Sequence, residues 1–142
     1  DSANTNAMSV MVYLNALVND VVALYPHGSK VIKETDIHDF DLDAKKLSAI
    51  GILVNELITN TMKHAFNGGP QGVIRLSLQK YDDRGLLVFE DNGKGIPESV
   101  DLNNSSGFGM KLIKRLTQQL KGTIDLERDN GTRFVVEFPY KS

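Results

Sequence analysis

Two hairpin patterns in the second half of the chain constrain its fold most strongly. The first joins an alternating apolar and polar segment, 74–79, to an apolar segment, 86–90. The second joins 123–128 to 132–138 through the sequence Asp-Asn-Gly at 129–131, which is typical of a tight β-turn. Alternation at a period of two predicts strands with one buried face. A sheet built from such hairpins needs a second layer to cover that face.

Amphipathic helices can supply this second layer. Three segments show apolar residues at intervals of three and four, which is typical of helices with one buried face: 9–25, about 44–66, and 108–120. Asp41 or Asp43 suits the N-cap of the second helix, and Gly122 closes the third. A loosely alternating segment, 30–37, predicts a further strand. The pattern predicts an α+β fold with its strands in one sheet and helices on one face.

Composition narrows the possible functions. The chain has 142 residues and no cysteine, which suits one domain and excludes disulfides, thiolate nucleophiles and cysteine-ligated metals. The formal net charge of −2 gives no overall attraction to nucleic acid or to an anionic membrane. The longest apolar run, 49–54, is too short to span a bilayer, and the first residues do not resemble a signal peptide. We expect residues 1–142 to form one domain without nucleic-acid or membrane contact.

The second helix carries a stripe of polar residues. Glu56, Asn60, Lys63 and His64 fall within an arc of about 100° on a regular helix. One interpretation is an ordinary solvated face. The other is a site for Mg²⁺ and a nucleotide, since an amide oxygen can ligate Mg²⁺ and a lysine can neutralise phosphate. The stripe alone leaves both interpretations open.

Two loops rich in glycine follow the stripe. Segment 90–97 contains Asp91, which could accept a hydrogen bond from an exocyclic amine, and its glycines permit close approach to a ligand. Segment 105–111 opens a helix with two glycines, which suits phosphate binding by backbone N–H groups. Each loop alone also has a structural explanation, as a turn or a helix start. Neither matches a Walker loop or a dinucleotide fingerprint.

Taken together, these segments resemble the ATP-binding catalytic domain of sensor histidine kinases, in the superfamily shared with gyrase B, Hsp90 and MutL. Segment 55–65 (NELITNTMKHA) resembles the N box, 91–95 (DNGKG) the first glycine box, 107–110 (GFGM) the second, and 131–134 (GTRF) the closing element. The resemblance covers roughly 42–139. It implies a Bergerat-type fold, a two-layer sandwich of a mixed, mostly antiparallel sheet with helices on one face.

The resemblance also implies roles for residues in an ATP site. Asn60 would ligate the Mg²⁺ that bridges the phosphates, Lys63 would contact phosphate, and His64 would pack on the nucleotide. Asp91 would accept from the adenine amino group. Glu56 would be the catalytic carboxylate, either activating water, as in the ATPases of the superfamily, or deprotonating or orienting an acceptor imidazole.

Further residues would complete the cofactor site implied by the resemblance. Gly93, Gly95 and Ile96 would surround the adenine. Gly107, Phe108 and Gly109 would line the phosphate end of the lid. Thr132 would bond the base directly or through water. Only nine residues separate Pro97 from Gly107, so we expect a short lid.

The chain shows no helical histidine motif that could accept phosphate. Its histidines are His27, His38 and His64. We therefore expect the phosphoacceptor and dimerisation domain to lie upstream, with residues 1–27 as the connecting helix. The resemblance implies the catalytic domain of an ATP-dependent protein histidine kinase of two-component signalling, with a response regulator as its downstream partner. We expect this domain to be cytoplasmic, in a parent protein that is either soluble or membrane-anchored.

Three alternatives remain open at this point. An anti-sigma factor with serine kinase activity shares this fold and has a similar length. An ATP-hydrolysing conformational switch is suggested by Glu56. A structural domain with a degenerate pocket is the third, although both glycine boxes and the N box are occupied.

Overall fold

A computed structural model describes residues 7–66, 71–101, 109–128 and 130–140. Strands and helices follow one another along the chain in this order: β1 (Ala7–Ser9), α1 (Val10–Ala23), β2 (Ile32–Ile37), β3 (Asp41–Asp43), α2 (Ala44–Asn60), β4 (Val73–Tyr81), β5 (Arg84–Asp91), α3 (Met110–Gln119), β6 (Thr123–Glu127) and β7 (Thr132–Pro139). A short 3₁₀ turn, Gly28–Lys30, precedes β2, and a π-helical turn, Thr61–Ala65, follows α2.

The main sheet has five strands in the order β2-β4-β5-β7-β6. Strand β2 pairs with β4 in parallel, and the other three pairings are antiparallel. Both predicted hairpins are therefore present as β4–β5 and β6–β7. Strands β1 and β3 form a separate two-stranded antiparallel sheet that the sequence did not predict, because three-residue strands are too short to show alternation.

The inner face of the sheet is buried against the helices. Its residues alternate along the strands and lie at 2% exposure or less: Ile74, Leu76, Leu78, Leu87, Phe89, Phe134, Val136 and Phe138. They form one hydrophobic cluster with apolar residues of all three helices, such as Leu14, Leu53 and Ile113. The predicted α+β fold, with a mixed sheet and helices on one face, is confirmed.

The outer face carries charged residues that run across all five strands, which we call the charged row: Glu34, Arg75, Glu90, Arg133 and Glu127. Strand register places each residue beside the next. Arg75 pairs with Glu34, and Arg133 pairs with both Glu90 at 3.1 Å and Glu127 at 2.6 Å. Opposite charges that face each other on neighbouring strands support the observed register.

The helix ends explain how α2 reaches the site. Asp43 caps α2 by accepting from the Lys46 N–H at 3.0 Å, as one of the two predicted caps. Helix α1 packs closely against α2 at Gly51. The Tyr13 side chain of α1 occupies the space where a Cβ on Gly51 would lie. The regular helix ends at Asn60, and the predicted extension to residue 66 becomes the π-helical turn. Such turns widen the helix locally and are frequent at functional sites.

Among the described residues, no helix is both long enough and apolar enough to cross a bilayer.

Candidate functional site

A pocket lies where the end of α2, the end of β5 and the start of β7 meet. It encloses about 260 Å³ of empty space, part of which is continuous with solvent. Six of the residues predicted for the site line it: Asn60, His64, Asp91, Gly95, Ile96 and Thr132. Four lining residues were not predicted: Leu57, Thr61, Ala65 and Phe134. The structure thus brings two of the four stripe residues, Asn60 and His64, together with the first glycine loop and the closing element.

Asp91 is the charged centre of the pocket wall. Its side chain is 8% exposed. The Thr61 hydroxyl donates to Oδ2 at 2.7 Å, the Gly93 N–H donates to Oδ1 at 2.9 Å, and the Thr132 N–H also donates to the carboxylate. Burial raises the pKa of the Asp91 carboxyl above its ordinary value, and these three hydrogen bonds partly offset that rise. A buried carboxylate held by neutral donors is well suited to accept from a ligand.

Glycines allow the pocket wall to close around Asp91. A Cβ on Gly131 would overlap the Asp91 carbonyl oxygen, and the φ of Gly131 is +122°. A Cβ on Gly93 would overlap the side chain of Ala65, on the π-helical turn. The Lys94 N–H donates to the Ala65 carbonyl at 3.2 Å, which joins the glycine loop to that turn. Close backbone approach therefore explains why glycine occupies these positions.

Asn92, the second residue of the first glycine box, holds the loop in place through its side chain. Its side-chain oxygen accepts from the Val73 N–H at 2.8 Å, and its side-chain amide donates to the Gln71 carbonyl at 3.1 Å. The side chain thus ties the end of β5 to the segment that enters β4. Asn92 is exposed, is absent from the pocket lining, and has a structural role in holding the loop that follows Asp91.

Asn60 is the predicted Mg²⁺ ligand, and it lies in the pocket wall at 8% exposure. Its amide offers one neutral oxygen. Within the described ranges, no group of three or more histidine, aspartate or glutamate side chains is arranged to hold a metal ion. A single protein oxygen suits Mg²⁺ that is held mainly by phosphates and water, which is a common arrangement for this ion. The residues present therefore fit a metal that arrives with its nucleotide.

His64 and Lys63 occupy different positions, although the sequence placed them on one stripe. The half-buried ring of His64 lines the pocket. Burial, followed by the charges of Lys63 and Lys94, lowers the pKa of His64, which favours the neutral ring at neutral pH. Lys63 is exposed and does not line the pocket. Its predicted contact with phosphate stays a prediction.

Glu56 lies at the junction of α2 and α3. Its Oε2 is 2.8 Å from the point where Gly109 would carry a Cβ, and Gly109 precedes the first residue of α3 with φ +65°. Glu56 is half-buried and is not part of the pocket lining. Gly109 is described, whereas Gly107 and Phe108 lie outside the described residues. The predicted catalytic role of Glu56 and the short lid both stay predictions.

Thr61 is the polar lining residue that the sequence analysis missed. It follows Asn60 and, on a regular helix, lies on the same side as Leu57 and Ile58. A hydroxyl amid the apolar residues Leu57, Ile58 and Met62 was the available signal. The three apolar lining residues were missed for a different reason, because a pocket wall and a core have the same hydrophobic pattern.

The sequence of this chain is similar to those of known ATP-binding proteins and histidine kinases. The sequence profile of the family described as histidine kinase-, DNA gyrase B-, and HSP90-like ATPase matches residues 46–142. Blue-light-activated histidine kinase 2 of Erythrobacter litoralis is 33% identical over 101 residues, which are 70% of this chain and 29% of that protein. Sensor histidine kinase PdtaS of Mycobacterium tuberculosis is 24% identical over 128 residues, which are 87% of this chain and 25% of that protein. The chain thus spans less than a third of the length of these relatives.

Solved structures show the same fold. The histidine kinase domain from the Erythrobacter litoralis EL346 blue-light activated histidine kinase superposes with a TM-score of 0.85 and 25% identity, covering 94% of this chain and 62% of that chain. The ATP binding domain of PrrB from Mycobacterium tuberculosis superposes with a TM-score of 0.76 and 21% identity, covering 96% and 97%. The family match over residues 46–142 confirms the resemblance that the motifs predicted, and these superpositions confirm the fold.

Proposed function

Because the chain belongs to the family of histidine kinase-, DNA gyrase B- and HSP90-like ATPases, we propose that it binds Mg·ATP and delivers the γ-phosphoryl group to a histidine on another domain. The observation that carries the nucleotide assignment is the Asp91 carboxylate, buried in the pocket wall and held by neutral donors. An adenine amino group would provide the donor that this acceptor requires. Thr132 and the glycines of the loop would complete the base pocket, together with Ile96.

The phosphates would extend from the base towards Asn60 and the start of α3. Asn60 would hold Mg²⁺, which supplies charge neutralisation for the phosphates when it is bound. The N-terminus of α3 follows two glycines in the sequence and would offer backbone N–H groups to the phosphates, with Gly107, Phe108 and Gly109 at this end of the site. Lys63 would add a positive charge, and the neutral ring of His64 would pack against the nucleotide.

Among the described histidines, His64 lines the pocket, where we assign it to packing on the nucleotide, so transfer requires an acceptor from elsewhere. His27 lies between α1 and the 3₁₀ turn, and His38 follows β2, so both are away from the pocket lining. Phosphoryl transfer depends mainly on positioning and charge neutralisation, which a separate acceptor domain can exploit. We propose that this domain is upstream, that residues 1–27 lead to it, and that a response regulator receives the phosphoryl group. The setting would be cytoplasmic.

The relatives' names favour this proposal over the alternatives. The two curated relatives described above are both named histidine kinases. The ATP-hydrolysing switch is supported by one observation, the position of the Glu56 carboxylate beside Gly109. For that alternative, the chain alone would hydrolyse ATP at a substantial rate, and Glu56→Ala would abolish the hydrolysis.

Magnesium dependence tests the role of Asn60. Calorimetric titration of this chain with ATP, with and without Mg²⁺, should show tighter binding in the presence of the metal. Asn60→Asp should alter that dependence, because it places a negative charge where a neutral oxygen stood. An Asn60→Asp variant with the wild-type dependence on Mg²⁺ would contradict the assignment.

Phosphoryl transfer itself is tested in the longer protein that contains this domain. Incubation with γ-labelled ATP should produce label that is stable in base and lost in acid, as expected for phosphohistidine. Asp91→Asn should prevent the labelling. Label that is stable in acid would instead support the anti-sigma alternative with serine kinase activity.

A further inference from the structure

Thr61 joins the helical side of the pocket to Asp91. It is 3% exposed and is the first residue of the π-helical turn that follows α2. Its Oγ1 donates to Oδ2 of Asp91 at 2.7 Å, and Asp91 is also buried. A hydrogen bond between two buried groups has little competition from water, so losing it leaves an unsatisfied buried acceptor.

The donors around Asp91 differ in kind. The Gly93 and Thr132 donors are backbone N–H groups, which the loop and the strand register fix. Thr61 provides the side-chain donor. An ionised carboxylate has about four acceptor positions, so these three bonds leave room for about one more. The orientation of the last acceptor position therefore depends on Thr61 as well as on the backbone.

We propose that Thr61 is a positioning residue for nucleotide selection. Its hydroxyl holds the Asp91 carboxylate as an acceptor that faces the pocket, and this favours adenine over guanine. Adenine presents an amino donor at C6, whereas guanine presents an oxygen there. The inference rests on the proposed function, because it assumes that Asp91 meets the base.

The electrostatics of Asp91 support this role. Burial raises the pKa of the Asp91 carboxyl, whereas the Thr61 hydrogen bond lowers it. Without the hydroxyl, the carboxyl would protonate at a higher pH and would then present a donor. A protonated Asp91 could donate to the guanine oxygen. Thr61 therefore acts on discrimination between bases as well as on affinity.

The test compares variants that differ in one hydroxyl. Thr61→Val removes the hydroxyl and keeps the side-chain shape, and Thr61→Ser keeps the hydroxyl. Thr117→Val is the matched control, since Thr117 is 2% exposed on α3 and its hydroxyl donates to the Ile113 carbonyl at 2.9 Å. If Thr61→Val does not fold, Thr61→Ala takes its place. ATP and GTP dissociation constants of this chain are measured by calorimetry for each variant.

The expected pattern is specific to Thr61. Thr61→Val should weaken ATP binding about tenfold and GTP binding much less, because one hydrogen bond to a charged group is lost. The ratio of GTP to ATP dissociation constants therefore falls. Thr61→Ser should restore the wild-type ratio, and Thr117→Val should leave it unchanged. If Thr61 contributed to stability alone, the ratio of GTP to ATP dissociation constants would stay at the wild-type value in Thr61→Val.

A second readout needs no nucleotide. The carboxyl carbon of Asp91, followed by NMR through a pH titration, should report a higher pKa in Thr61→Val than in the wild type. His64 is the other titratable residue in the described pocket lining, and its neighbours Lys63 and Lys94 also carry charge. These three residues are unchanged in the variant, so the difference reports the lost hydroxyl.

Two results would overturn the inference in distinguishable ways. If Asp91→Asn loses ATP affinity while Thr61→Val keeps both the wild-type affinity and the wild-type ratio, Thr61 has no role in selection. If Asp91→Asn also keeps the wild-type ATP affinity, the proposed nucleotide site fails, and the inference fails with it.

Discussion

Two consecutive carboxylates at the end of β5 face opposite sides of the sheet and have different surroundings. Glu90 faces outwards in the charged row, with a side chain that is 37% exposed and paired with Arg133. Asp91 faces inwards at 8% exposure and accepts only from neutral groups among the described residues. One step along a strand therefore separates a carboxylate that pairs with a cation from one that can accept from a ligand.

The difference shows that surroundings, and not residue type, decide the role of an acid. An exposed ion pair in the charged row adds little stability because water screens it. A buried carboxylate without a cation reduces stability, and proteins keep such groups mainly for binding or catalysis. The cost at Asp91 is moderated by three hydrogen bonds. The following predictions test this contrast between the inner and outer sides of β5.

The largest expected effect is at Gly131, which lets β7 approach Asp91. Gly131→Ala should lower the free energy of unfolding by about 3 kcal/mol, since its Cβ would overlap the Asp91 carbonyl oxygen at a φ that L-residues rarely adopt. Val135→Ala, on the half-buried outer face of β7, should cost about 1 kcal/mol or less. Urea unfolding compares the two, and similar losses would contradict the tight packing on the inner side.

Asp91→Asn should have a smaller and opposite effect on stability. At neutral pH the free energy of unfolding should stay equal or rise by about 1 kcal/mol, because a buried charge is removed. The amide oxygen can still accept from a backbone N–H, and the Thr61 hydroxyl can rotate to accept from the amide NH₂. Urea unfolding measures this difference. A loss larger than about 1 kcal/mol would show that the charge is needed for folding.

The pH dependence of this difference has a defined sign. The pKa of Asp91 is raised by burial in the folded protein, so the folded state takes up a proton more readily than the unfolded chain. Wild-type stability should therefore rise relative to Asp91→Asn as the pH falls through that raised pKa. A relative loss of wild-type stability on acidification would contradict the burial of an ionised Asp91.

The smallest expected effect is at Glu90. Glu90→Gln should lower the free energy of unfolding by less than about 1 kcal/mol, because the lost ion pairing is partly exposed. The loss should shrink at high salt, which screens exposed charges. Unfolding at low and high salt checks both points, and a large, salt-independent loss would contradict a partly exposed, screened ion pair at Glu90.

Strong local patterns made much of the fold predictable from sequence. The two hairpins followed from their strand and turn patterns, and the inner face of β4 followed from alternation at a period of two. The Asp43 cap also matched one of the two predicted caps. The parallel pairing of β2 with β4 was not assigned, because it joins distant segments and no turn between them encodes the register. The β1–β3 sheet was not predicted because its three-residue strands are too short to show alternation.

The site was predictable where motifs marked it. Asn60, Asp91 and Thr132 were named from the resemblance, and the structure brings them to one pocket. Thr61 was missed because it lies outside the polar stripe, among the apolar residues Leu57, Ile58 and Met62. Asn60 is the last residue of α2 and Thr61 is the first residue of the π-helical turn, and both lie in the pocket wall. The change of helical pitch between them leaves no periodic signal in the sequence.

The most direct test of the contrast between the two carboxylates is a paired ATP titration of this chain. Calorimetry in the presence of Mg²⁺ compares the wild type with Asp91→Asn and Glu90→Gln. We expect Asp91→Asn to weaken ATP binding by roughly 100-fold, and Glu90→Gln to leave it within about twofold of the wild type. Equal ATP affinity in all three proteins would contradict the account.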